Sequence, residues 1–206
     1  MSESVKKPSK TAVLIQEVAS NMFASQGYDG TIMDELALKT GVNKASIYYH
    51  FGSKQGLYEA CMTSLFSGVA SQVLSVIIQK NSPLEKLSAF ISEFSKAAYA
   101  CPNMPAVLMR EMASSGENMP VSARQQMQRL LFALNEILEE GEAKGVLIRV
   151  QPLTVQMMIV GCLSLYITSE PLRSKIQSAQ KTDISVSEMT EEVIMVIQNG
   201  LKVTQK

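Results

Sequence analysis

A second histidine, a close pair of cysteines and an excess of either charge are all missing from this 206-residue chain. With one histidine there is no cluster to hold a metal, and none is expected. Cys61, Cys101 and Cys162 are an odd set, far apart in sequence and without a CxxC or Cys/His grouping. They read as free thiols in a reducing compartment, not as a disulfide framework. Basic and acidic residues balance at 19 each. Any case for nucleic acid must therefore rest on local charge. No apolar run reads as long enough to span a bilayer, and the opening MSESVKKPSK lacks the apolar core of a signal peptide, so a soluble, cytoplasmic protein is expected. A nucleophile elbow and a phosphate-binding loop are absent too, which argues against an enzyme and leaves no cofactor to expect. No segment alternates as a strand must.

What is present is helical periodicity, in a chain that is 46% hydrophobic and able to bury a sizeable core. Residues 11 to 26 place Val13, Leu14, Val18, Met22 and Phe23 on one face, and Gly27 stops the helix. Thr31 followed by Asp34 predicts a capping box opening a second helix to about Lys39. Gly41 breaks the chain, Asn43 caps a third short helix ending near His50, and after Gly52 Ser53 caps a fourth. Beyond that the helices lengthen, to roughly 12–25 residues by their pattern, with prolines 83, 102, 105, 120, 152 and 171 at starts or joints. The expected fold is all-α: a three-helix head over residues 1–52, then a body of about six more helices over 53–206.

The head carries a pattern of its own. Two helices joined by a tight turn need a small residue at their contact and a glycine at the turn, and MDELALKTGVNKASIYYH supplies Ala37 and Gly41. Leu36, Val42 and Ile47 form the core, extended by Ile32 and Phe51. Lys44, Ala45, Ser46, Tyr48, Tyr49 and His50 then fall on the outer face and ends of the third helix. From Leu36 to Tyr58 there are three lysines and no acid. The arm before it adds Lys6, Lys7 and Lys10. Such a face suits a polyanion, with donors for phosphate oxygens and flat side chains for base edges and sugars.

The stretch GYDGTIMDELALKTGVNKASIYYHFGSKQGLYEA resembles the DNA-binding domain of the TetR family of bacterial transcriptional regulators, over roughly residues 10 to 60. The resemblance implies a homodimer whose third helices enter the major groove of double-stranded DNA, and a helical C-terminal domain that binds a small molecule and dimerises. It implies phosphate contacts from Thr31 and Ser46 and base-edge contacts from Lys44 and Ala45. Tyr48 would meet a phosphate or a base methyl. Tyr49 and His50 would lie along the backbone or groove wall, although His50 packed against Phe51 is the other reading. Lys54 would bind phosphate at the start of the fourth helix. Second-helix positions that supply a basic base contact in some relatives hold Met33 and Asp34, so no base contact is assigned there.

Ten of the thirteen methionines lie in the body. Methionine adapts its shape and is frequent at promiscuous apolar sites. Met109, Met112, Met127, Phe132, Met157 and Met158 are the candidate lining of a cavity for a small apolar effector. Arg110 and Glu111 either orient a polar ligand head or form a surface pair. Gly161, Ser164 and Thr168 in one late helix, and Val193, Val196, Ile197 and Leu201 in another, mark the last two long helices as the homodimer interface or as an intramolecular core. Together these readings predict a ligand-responsive repressor released from a palindromic operator. An adaptor that keeps the DNA-binding fold but acts through protein partners is the alternative.

Overall fold

The structure, a computed structural model, describes residues 9–203. Lys6 and Lys7 of the expected cationic arm lie outside the described residues. Helix α1 (Lys10–Gly30) begins at Ser9, whose hydroxyl accepts from the Ala12 amide at 3.1 Å. Gly27, at a φ of 77°, breaks it as expected, and one more turn reaches Gly30. Its buried stripe is Ile15, Ala19, Met22 and Phe23, whereas Val13 and Leu14 are exposed. The apolar run Ala12–Ile15 leaves the phase of the helix ambiguous. Ile15 is the member one turn from Ala19, and it takes the inward place.

Helices α2 (Met33–Thr40) and α3 (Lys44–Phe51) follow, joined through Gly41 in the left-handed conformation. The Asn43 side chain accepts from the Ser46 amide at 2.7 Å and so starts α3 where the sequence places its start. Leu36 and Ile47 are fully buried, with Ala37, Val42 and Phe51 half-buried around them. Ile32 does not join that core. It stands in extended backbone at the N-cap of α2 and is 51% exposed.

Ser53 caps α4 (Lys54–Ile77), accepting from the Gly56 amide at 2.9 Å. The body continues as α5 (Pro83–Ala100), α6 (Asn103–Ala113), α7 (Val121–Ala143) and α8 (Pro152–Thr168). Two single turns, α9 (Glu170–Arg173) and α10 (Gln177–Gln180), precede the final α11 (Val186–Leu201). Six of these helices are long, and the prolines sit at or within two residues of helix starts. Ser82 with Glu85 and Ser185 with Glu188 form capping boxes that begin α5 and α11.

The hub is α4, which packs on α1, α5 and α7. By length and composition it is also apolar enough to cross a membrane, contrary to the reading that no such run exists. Here its apolar residues, among them Leu57, Met62, Phe66 and Val73, form the centre of the core. That core is continuous from α1 to α11 and does not stop at the Gly52–Ser53 turn. The end of α11 is pinned to the α7–α8 connection, where the Ile148 amide donates to the Leu201 carbonyl at 2.8 Å.

Candidate nucleic-acid interface and its links to the body

The outer face of α3 is displayed as its periodicity requires. Lys44, Ala45, Tyr48 and Tyr49 are exposed, Tyr49 at 86%, while Ser46 and His50 are half-buried. The His50 ring lies between Tyr49 and Phe51, with centroids 5.4 and 6.3 Å away. His50 thus packs against Phe51, as one of its two sequence readings has it, and stands at the border of the outer face.

Two expectations need correction. Thr31 is 1% exposed, and its hydroxyl donates to the Gly27 carbonyl at 2.8 Å, closing the break in α1. It is a structural group and presents no donor to a phosphate. The capping box between Thr31 and Asp34 does not form either, because Ile32 occupies the N-cap and makes no side-chain bond there. The Asp34 carboxylate instead meets Lys44, whose Nζ lies 2.9 Å from Oδ1 and 3.0 Å from Oδ2. The hydrogen bond to Asp34 raises the lysine's pKa above its ordinary value. Lys54 also has company: Nζ donates to the Asp29 carbonyl at 3.3 Å and sits 4.7 Å above the centre of the Tyr28 ring.

Two neighbouring residues of α6 tie the body to the head, Arg110 directly and Glu111 through Tyr58 of α4. Arg110 Nε donates to the Ala24 carbonyl at 2.7 Å, and its Nη2 donates to the Ser25 carbonyl, near the Gly27 break in α1. Glu111 turns the other way and accepts from the Tyr58 hydroxyl of α4 at 2.5 Å, in a buried contact. Burial, then the adjoining carboxylate, raises the Tyr58 pKa well above the ordinary phenol range. Tyr58 also packs edge-on against Phe23 and Tyr28, with ring centroids 4.8 and 5.0 Å away. Arg110 and Glu111 therefore do not form a surface pair with each other. The sequence did hold a signal for Glu111: it falls on the same helical face as the buried Met104, Val107 and Leu108.

Inside the body, α4, α5, α6, α7 and α8 line a partly open cavity of about 30 Å³ bounded by Phe66, Phe94, Met104, Leu108, Met127 and Gln156, among others. Of the six residues expected to line a cavity, only Met127 does so. Met109 is half-buried against the core, whereas Met112, Phe132, Met157 and Met158 are exposed, Phe132 at 60%. Apolar residues cover most of α8, so its pattern does not say which side turns inward. The inward side is Val155, Ile159, Val160 and Leu163, leaving Leu153, Met157, Met158 and Leu165 outside. On α11, which packs against α8, Met195 and Val196 are exposed as well. Ser164, Val193, Ile197 and Leu201, expected at a dimer interface or a core, belong to the core.

Residues 15–61 match the family described as bacterial regulatory proteins, tetR family. Residues 83–197 match the tetracyclin repressor-like C-terminal domain. The chain belongs to the TetR family. Among its relatives is the biofilm operon icaADBC HTH-type negative transcriptional regulator IcaR of Staphylococcus aureus (strain Newman), 34% identical over 76 residues. That match covers 37% of this chain, which spans about two fifths (41%) of the relative's length. The HTH-type transcriptional repressor KstR2 of Mycolicibacterium smegmatis is 27% identical over 134 residues, covering 63% of each chain. Among solved structures, the transcriptional regulator FadR from Bacillus subtilis in complex with stearoyl-CoA shares the TetR fold at a TM-score of 0.72. Its identity is 19%, with 91% of this chain and 98% of that one covered.

Proposed function

We propose that the protein is a sequence-specific DNA-binding repressor that works as a homodimer on a palindromic operator and is released by a small lipophilic effector. It is read as a cytoplasmic regulator, not an enzyme, with residues up to 52 as the DNA-binding head. The observation that carries the reading is the exposed outer face of α3, with Lys44, Ala45, Tyr48 and Tyr49 turned to solvent by a helix-turn-helix of fixed geometry. Ser46, His50 and Lys54 flank that face and serve the phosphate backbone. The relatives named as a negative regulator and a repressor support the sign of the regulation.

Dimerisation is assigned to the exposed apolar residues of α8 and α11. Two recognition helices must stand about 34–36 Å apart to enter successive major grooves. The effector site is assigned to the small cavity lined by Met127. At about 30 Å³ it has room for little more than a water molecule, whereas effector-sized sites run to several hundred Å³ (about 300 or more). A bound effector must therefore push its walls apart. One wall is α6, through Met104 and Leu108, and the next turn of α6 grips the head directly through Arg110 and, by way of Tyr58 on α4, through Glu111. Widening the cavity strains that grip, and an effector that prefers the widened form lowers DNA affinity by the same coupling free energy. The stearoyl-CoA bound by the Bacillus subtilis neighbour supports a lipophilic effector class.

The test is selection from random duplex DNA with the purified protein. Enrichment of a palindrome supports the reading. A folded dimer that enriches no sequence favours the adaptor. On the selected site, Lys44→Ala weakens binding by about ten- to a hundredfold at fixed salt.

A further inference from the structure

We propose that Asp34 is a specificity-determining residue, and that it reads the operator together with Lys44 as one electrically neutral donor–acceptor unit matched to a G·C base pair. The proposal rests on the DNA-binding reading above. Asp34 lies in the first turn of α2 and Lys44 is the first residue of α3, so the turn between the helices brings them together at the edge of the face that displays Ala45 and Tyr48. Both carboxylate oxygens are within 3.0 Å of Nζ, and the two side chains are 73% and 45% exposed. An ion pair this open adds little to stability, so the fold gives no strong reason for it.

An acid on a DNA-facing surface is repelled by phosphate unless its charge is cancelled. Lys44 cancels it, and is in turn withdrawn from general phosphate binding. What remains is directional. The ammonium has three N–H groups and keeps at least one beyond the carboxylate, while the Asp34 oxygens keep outward lone pairs. In the major groove guanine offers O6 and N7 as acceptors, and its cytosine partner offers the N4 amine as a donor. Lysine to guanine and aspartate to cytosine are the pairings that this geometry favours. Asp34 thus lowers affinity for DNA in general while sharpening the choice of one base pair in each half-site.

The experiment compares the full-length wild type with Asp34→Ala and Asp34→Asn, by selection from random duplexes and by titration of non-operator DNA across a salt series. The wild type is expected to enrich a palindrome with a G·C pair at one position of each half-site. Asp34→Ala is expected to lower the preference for that pair by about tenfold. It should also bind non-operator DNA more tightly, because each protomer gains a free cation. The salt slope then steepens by about 0.9 per protomer. Asp34→Asn keeps an acceptor oxygen but not the charge. It should show the same steeper slope, with the preference moving toward adenine. An Asp34→Ala protein that is folded by circular dichroism, with an unchanged base profile and salt slope, overturns the proposal and leaves the DNA-binding reading intact. A wild type that enriches no sequence removes both.

Discussion

The head and the body share one core, yet they present opposite surfaces to the outside. In the head, Ile15, Phe23, Leu36 and Ile47 are buried, and the outward side of its third helix carries Lys44, Tyr48 and Tyr49. In the body, α8 and α11 leave Leu153, Met157, Leu165, Met195 and Val196 in contact with solvent. A polar, hydrogen-bonding face suits a hydrated polyanion, whereas an apolar face of two adjacent helices suits a dry partner such as a second copy. On the proposed function, the difference assigns each kind of specificity its place: sequence recognition in the head, assembly and effector response in the body.

The sharpest way to break this comparison is to make the apolar face of the body charged. Leu165→Glu places two carboxylates across the proposed two-fold axis. It should yield monomers in sedimentation and lose operator affinity by about a hundredfold or more, since a lone head forfeits the gain of bivalent binding. Phe132→Glu, at an equally exposed site on α7, should leave both quantities unchanged. A dimeric Leu165→Glu protein with normal operator affinity would move the interface elsewhere.

Next in size is the joint between the two regions. A Cβ added at Gly56 would lie 2.2 Å from the Phe51 carbonyl oxygen, so α3 and α4 meet too closely there for any side chain. Gly56→Ala should cost about 2–3 kcal/mol in urea unfolding. Gly68→Ala, further along α4 with open space around it, should gain up to about 1 kcal/mol from helix propensity. Equal effects at the two glycines would mean that the joint yields freely.

A smaller loss is expected at the second link. Tyr58→Phe leaves a buried Glu111 whose Oε2 already has no partner, so about 1–2 kcal/mol of stability should be lost. Adding Glu111→Met removes the stranded carboxylate and should restore most of that stability. The double variant should still bind the operator but respond less to effector. A full effector response in the double variant would show that Glu111 carries no signal between body and head.

How much of this was readable from residues alone differs between the regions for a physical reason. In the head, Gly27, Gly41, Gly52, Asn43 and Ser53 set local backbone geometry, and local rules place them. Polar residues also mark which side of α3 is outside. Two failures there, Thr31 and Ile32, come from the break in α1, which turns the threonine hydroxyl back to the Gly27 carbonyl. In the body, α8 is apolar on nearly every side, so Met157 and Met158 look as suited to a cavity as Val160, and only packing against α5, α6, α7 and α11 decides. Arg110 was beyond local reading, because its partners at Ala24 and Ser25 are more than 80 positions away in the chain.

The smallest effect concerns pH and separates the electrostatics of the body from those of the head. Glu140 on α7 lies 2.6 Å from both Lys86 and Lys144. Hydrogen bonds, first from Lys144 and then from Lys86, hold its carboxyl below the ordinary glutamate range. A carboxyl whose pKa falls on folding binds fewer protons in the native state than in the unfolded one. Its contribution is therefore present above the unfolded value and is lost as pH falls through the folded value. Glu140→Gln should lower the melting temperature slightly at neutral pH, and the gap from wild type should close as the pH drops below the ordinary glutamate range. Added salt should shrink the gap at neutral pH, because the groups are partly exposed and screened. Asp34→Asn in the head should change the melting temperature at neutral pH less than Glu140→Gln does, since its pair with Lys44 is more open still. If the two variants lower the melting temperature equally at neutral pH, charge in the head contributes to stability as it does in the body, and the contrast between the two surfaces is weaker than drawn.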